Sequence, residues 1–283
     1  MAIIKNIGSI CPTDGTGTIL NDSSLSKVPH CFMQAIEQLK AAYLEHMAET
    51  IHSIYIRGSI PRGFGIEGVS DLDSICVINK PYTEVNTAWR QETEEKLVHN
   101  NPCITGIEIQ FVQVDLLKKQ SHFHILPFMI KTHSICVYGD NLIPELPQYE
   151  CDSPVANFHL MSIGTNIQQA KDDVQGNNDD DDKKECCQWI AKQLVRAGMA
   201  LTIPIEHAYT RDLFPAYTLF CKLYPDKSEE MMAVLKLAID PVSDERQLID
   251  LLNSIGNWLI EEAEHWIQLY NPEKMPALPI SYP

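Results

Sequence analysis

Through the first half of the chain, short runs of β-branched and aromatic residues are broken by turn-formers. Beyond residue 150, apolar residues recur every three or four positions instead. The first periodic stretch runs from Pro29 to Thr50, with Phe32, Ile36, Leu39, Tyr43, Leu44 and Met47 on one stripe, which predicts an amphipathic helix that Pro29 starts well. Ile54, Tyr55 and Ile56 then read as a strand ended by Gly58-Ser59, followed by a loop from Ile60 to Ser70 holding Pro61, Gly63, Gly65 and Gly68. A second strand is expected from Asp71 to Ile78, a helix from Thr87 to Val98, and a half-buried strand at Ile107–Phe111 whose alternation slips at Val112–Val114, where it is expected to bulge or end. A further strand is expected from Ser134 to Gly139.

The order helix, strand, strand, helix, strand implies a mixed α and β domain, α/β in the α+β sense, with a small sheet flanked by helices. Pro144, Pro147 and Pro154 then punctuate the chain, so the first domain is expected to cover residues 1–150 and an all-helical domain residues 151–283. In the second domain, Ser153-Pro154 opens a helix expected to run to about Val174 and end at Gly176. The acidic run Asp179–Asp182 reads as a flexible connector, and recruitment of a cationic substrate is its functional alternative. Further helices are expected around Trp189–Val195, Leu213–Phe220, Met231–Leu237 and Ser243–Tyr270, with an extended tail from Pro272.

The chemistry concentrates between Ile51 and Ile78. The two-residue period of a strand puts Asp71 and Asp73 on one face. Two adjacent carboxylates repel each other and are costly to bury unpaired, so such a pair binds cations or shares a proton. Magnesium suits it, because that ion takes one or two carboxylates and completes its shell with water and substrate phosphates. Glu108, an acid set between Ile107 and Ile109, is a third carboxylate and a reasonable general base. Taken singly, each piece is more often an ordinary turn or a solvated strand end. Their order and context favour a site.

Together these residues resemble the nucleotidyltransferase superfamily, which includes polymerase beta, and within it the streptomycin/spectinomycin adenylyltransferase and kanamycin nucleotidyltransferase type. The shared pattern is Gly58-Ser59, Asp71-Leu72-Asp73 and Ile107-Glu108-Ile109, with Arg62, Gly63 and Ser70 matching its tighter small-molecule form. The resemblance implies transfer of a nucleoside monophosphate, AMP from ATP, to a hydroxyl of a small-molecule acceptor, with release of pyrophosphate. Asp71, Asp73 and Glu108 would hold two magnesium ions and Glu108 would take the proton, while Gly58, Ser59, Arg62 and Ser70 would contact the nucleotide. Arg211 and Lys222, in the helical half, are candidates by position for reaching the triphosphate. Its alternative is a nucleotide-binding regulator, or an enzyme that modifies proteins such as toxins, so the acceptor is a small-molecule or protein hydroxyl.

Composition adjusts this picture in three ways. A formal charge of −16 argues against a large nucleic-acid partner, whose phosphates need Lys and Arg clusters. Nine cysteines, an odd number with no CxxC pair, read as reduced thiols, and no stretch approaches the apolar length of a membrane span, so a soluble cytoplasmic protein without a membrane partner is expected. His122, His124 and His133 are interrupted by Pro127 and are expected to make local hydrogen bonds or face solvent rather than bind metal.

Overall fold

A computed structural model describes residues 4–117 and 125–274 of the chain. His122, His124 and the tail prolines Pro276, Pro279 and Pro283 lie outside the described residues. The chain divides into two compact units. One holds the sheet, formed by residues 19–149 with a short piece at 12–14, and the other is helical, formed by residues 150–274 together with residues 4–11 and 15–18. The N-terminal segment therefore belongs with the helices, which an expected boundary at 150 does not convey. It is held there by the Cys11 amide donating to the Tyr209 carbonyl (2.8 Å), the Ser9 amide donating to Asp212 Oδ2 (2.9 Å) and the Thr210 hydroxyl donating to the Ser9 carbonyl (2.7 Å).

The sheet has four strands: β1 (Ile51–Arg57), β2 (Leu72–Ile78), β3 (Ile107–Gln113) and β4 (Ser134–Gly139). Their spatial order is β3-β2-β1-β4, with β1 antiparallel to both β2 and β4 and β2 parallel to β3. A parallel pair needs a crossover, and the residues between β2 and β3 supply it with the helix Arg90–Asn100. Where the alternation slips, the strand ends rather than bulges. Strand β3 keeps register with β2 from Leu72↔Ile107 to Ile78↔Gln113, and a short helix, Val114–Leu117, begins directly afterwards.

One face of the sheet carries Ile54, Ile56, Leu72, Cys76, Ile78, Ile109 and Phe111 into a core shared with Phe32, Ile36, Leu39 and Tyr43 of the helix His30–Met47. Burying each such side chain contributes roughly 1.5–3 kcal/mol, so this layer is what fixes which strand face is dry. A buried polar relay crosses the same interface. The Ser74 hydroxyl donates to the Glu108 carbonyl (2.9 Å) and its oxygen accepts from the Tyr43 hydroxyl (2.7 Å), since the one Ser74 hydrogen is already used. Burial raises the Tyr43 phenol well above its ordinary range, so it stays protonated as that donor.

In the helical unit, the helix Asp180–Ala200 lies among Ser153–Leu160, Ile163–Val174, Leu213–Leu223 and Ser228–Ile239. Gly198 permits close approach there, because a Cβ at that position would stand 2.7 Å from Met231 and 2.9 Å from the Phe220 ring. The acidic run is not a connector. Asp179 is the N-cap, its carboxylate accepting from the Asp181 and Asp182 amides, and Asp180–Asp182 form the first turn. The unsatisfied amides and positive dipole end of a helix favour acids, and this outweighs their mutual repulsion. The helix expected from Ser153 to Val174 is broken in two at Met161-Ser162, and the stretch to Tyr270 passes through a π-helical turn at Leu252–Gly256.

No helix among the described residues is long and apolar enough to cross a membrane. All nine cysteines are free, and burial pushes thiols such as Cys76 and Cys151 upward, so they behave as small apolar groups. His133 is buried, with Nδ1 against the Thr132 hydroxyl, so it serves a local hydrogen bond.

Candidate active site

The site is a row across three strands. Arg57 is the register partner of Asp73 across β1 and β2, and Asp73 is the partner of Glu108 across β2 and β3. Their neighbours Ile56, Leu72 and Ile109 point into the core, so the two-residue period sends Arg57, Asp73 and Glu108 to the opposite face. Gln110 follows two residues after Glu108 on that same face.

Strand β1 ends at Gly58, whose φ of +87° lies in the left-handed region. Conformation alone favours glycine there, and packing adds to it: a Cβ would stand 2.3 Å from Asp73 Oδ2. The Asp73 carboxylate thus lies directly on the glycine backbone. Ser59 follows, its hydroxyl donating to Ser70 Oγ at 3.4 Å, and Ser70 Oγ also accepts from the Ile66 amide at 2.9 Å. This closes the loop on itself, with further turns from the Gly63 amide to the Ile60 carbonyl and the Phe64 amide to the Ser59 carbonyl.

Charge at the row is densely compensated. Arg57 Nη2 lies 2.6 Å from Glu108 Oε2 and 3.5 Å from Asp73 Oδ1. Gln110 Nε2 donates to Glu108 Oε1 at 2.6 Å, so each Glu108 oxygen accepts a strong bond. Burial pushes the Asp73 carboxyl up to about 8, opposed by the Arg57 charge and reinforced by its hydrogen bond with Glu108 and by the charges of Asp71 and Glu108. The direction of the shift means that burial favours either a proton or a cation on Asp73.

Of the residues expected from sequence, the structure brings together Gly58, Ser59, Ser70, Asp73 and Glu108. Asp71 sits one residue before β2, exposed, and reaches Asp73 through its charge. Arg62 is placed elsewhere. Its guanidinium is almost fully buried, forks onto Asp22 (Nε to Oδ1 3.0 Å, to Oδ2 2.8 Å) and stands over the Phe64 ring, so it braces the loop. Arg211 and Lys222 belong to the helical unit. Lys222 Nζ pairs there with Glu206 Oε2 at 2.8 Å, and the charge of Arg211, with that of Arg196, lowers the buried His159 below its ordinary range, after burial itself.

Two residues were not singled out from sequence. Arg57 follows the apolar run Ile54–Ile56 immediately before Gly58, and Gln110 keeps step with Glu108, and those positions are the signals that would have found them.

Magnesium fits these donors in kind. Asp71, Asp73 and Glu108 are hard oxygen ligands, and Gln110 Oε1 is a buried oxygen with no hydrogen-bond partner. Among the described residues, no three His, Cys, Asp or Glu side chains converge as a ready-made metal centre. Arg57 holds Asp73 and Glu108 together, while the third carboxylate, Asp71, stays exposed on the loop.

No protein-family model matches the chain, and no curated protein matches it by sequence. Among solved structures it is similar to the spectinomycin adenyltransferase AAD(9) from Enterococcus faecialis, crystallised with ATP and spectinomycin. Identity is 15%, the match covers 82% of this chain and 98% of that one, and the TM-score is 0.47.

Proposed function

We propose that the chain is a magnesium-dependent nucleotidyltransferase that moves AMP from ATP to a hydroxyl of a small-molecule acceptor. The observation that carries this reading is the register that sets Asp73 and Glu108 side by side, with Asp73 packed on the Gly58-Ser59 turn. An ion-paired carboxylate couple of this kind is weak evidence for a purely stabilising role, whereas it suits a site that must hold cations next to phosphates.

In the reaction, the acceptor oxygen forms a bond to the α-phosphorus while the bond from that phosphorus to the bridging oxygen breaks, and pyrophosphate leaves. Bound magnesium supplies charge neutralisation for the triphosphate and eases ionisation of the hydroxyl. Asp71 and Asp73 would hold it, with Glu108 completing the set. Glu108 also accepts the hydroxyl proton, in competition with the bonds it takes from Arg57 and Gln110. The Gly58 and Ser59 backbone and the Ser59 and Ser70 hydroxyls would donate to the β and γ phosphates.

The test is pyrophosphate release by the purified chain with ATP and magnesium, against hydroxyl-bearing small molecules such as aminoglycosides and, separately, against protein acceptors. Release with the first group supports the reading, and release only with the second makes the chain a protein-modifying enzyme. Asp71→Asn or Asp73→Asn should abolish transfer, and turnover retained in either removes its metal role. Glu108→Gln should lower kcat far more than nucleotide affinity, and equal losses in both would count against the base.

A further inference from the structure

We infer that Arg57 is a resident counter-cation that the carboxylate row exchanges for a divalent metal, so that this side chain sets the metal concentration at which the site assembles. The inference rests on the reading of the row as a metal site. Arg57 Nη2 reaches Glu108 Oε2 and faces Asp73 Oδ1, which are oxygens that an ion bridging the two acids would use. The other Glu108 oxygen accepts from Gln110, so an ion meeting the pair at the Arg57 side competes directly with the guanidinium.

A divalent ion bound to both acids would stand within about 4 Å of the guanidinium, and like charges at that distance repel strongly in a partly buried setting. The two cations cannot share the row. Arg57 must therefore swing away, and its attachment is suited to that. Its Nε is buried with no hydrogen-bond partner, so leaving gives water access to an unsatisfied donor while breaking the ion pairs. Gln110 plays a complementary part. It keeps its hold on Glu108 Oε1 during the exchange and presents its own unpartnered Oε1 beside the acids.

In this arrangement Arg57 is a positioning residue that acts through Asp73 and Glu108. Its presence offsets the charge of a buried Asp73 and a half-exposed Glu108, and it makes metal binding weak until something else contributes ligands. A nucleotide triphosphate brings such ligands as phosphate oxygens, so ion and nucleotide should bind together rather than in sequence.

The experiment uses Mn²⁺ as the probe, with the purified full chain and no nucleotide, reading bound ion from the loss of the free Mn²⁺ electron paramagnetic resonance signal. Arg57→Gln should bind Mn²⁺ about tenfold or more tightly than the unsubstituted chain, the gain expected from removing one charge-assisted partner. Arg57→Lys, which keeps the charge and loses the fork, should fall between them, and adding Asp73→Asn should abolish binding in both backgrounds. Unchanged or weaker Mn²⁺ binding by Arg57→Gln would overturn the inference and make Arg57 an organiser of the acids. Thermal unfolding guards against simple damage: Arg57→Gln should melt lower without metal and recover with Mn²⁺, and a loss that Mn²⁺ does not reverse also counts against it. Tight Mn²⁺ binding by Arg57→Gln alongside no pyrophosphate release from any acceptor would reject nucleotidyl transfer and leave the exchange intact. Transfer with no effect of Arg57→Gln on Mn²⁺ would do the reverse.

Discussion

Gly58→Ala tests the close seat of Asp73 on the turn. Two costs add. Holding alanine at a φ of +87° is expected to cost about 1–2 kcal/mol, because Cβ crowds the following carbonyl. The new methyl would also lie 2.3 Å from Asp73 Oδ2 and 3.3 Å from its Cγ, so the carboxylate must shift by roughly 1 Å, an overpacking cost of about 1–2 kcal/mol. The two costs are separable, because in an Asp73→Ala background only the Asp73 Cβ, at 3.6 Å, remains near. Gly58→Ala should then destabilise by about 3 kcal/mol in the unsubstituted chain and by only about 1–2 kcal/mol beside Asp73→Ala, a coupling of about 1–2 kcal/mol. Because the chain has two units, the assay is hydrogen exchange of the β2 amides as a function of urea, which reads the sheet alone. Equal costs in the two backgrounds would mean that Asp73 does not rest on Gly58, and the assembled row would go with it.

Three further outcomes are expected. The Asp73 carboxyl, raised to about 8, keeps a proton in the folded chain that the unfolded chain releases near 3.8, so its contribution to stability is complete below that lower value and is lost as pH rises toward 8. The melting temperature should fall more steeply between pH 5 and 9 in the unsubstituted chain than in Asp73→Asn, and parallel curves would refute the shift. Tyr43→Phe removes the donor to Ser74 and should cost about 1–2 kcal/mol in the exchange assay, with a loss below 0.3 kcal/mol showing that the relay does not hold β3. Asp179→Ala deletes the cap of the helix Asp180–Ala200 and should cost about 1 kcal/mol, read as faster exchange in that helix; unaltered exchange would return the acidic run to a mere surface feature.

Much of this architecture is already legible in the order of residues. The stripe from Phe32 to Met47 becomes a helix, and the β-branched runs around Ile54, Ile75 and Ile135 become strands, because side-chain period and local propensity act within a few residues. Gly58 marks the end of β1 for the same reason, since its positive φ is a local demand. The carboxylates Asp73 and Glu108 are likewise conspicuous as acids among apolar neighbours. The Asp179–Asp182 run misleads because repulsion between its charges is visible in the chain, whereas the helix amides that offset it exist only once the helix forms.

Sequence by itself determined which segments would be strand or helix and which acids were out of place, since these follow from interactions between near neighbours. Tertiary structure alone decided that β3 lies parallel to β2 in a register pairing Asp73 with Glu108, that Arg57 closes the row, and that residues 4–11 join the helical unit. Those facts depend on pairing segments tens to hundreds of residues apart, and pairing is settled by burial of the whole hydrophobic face rather than by any residue that takes part in the site.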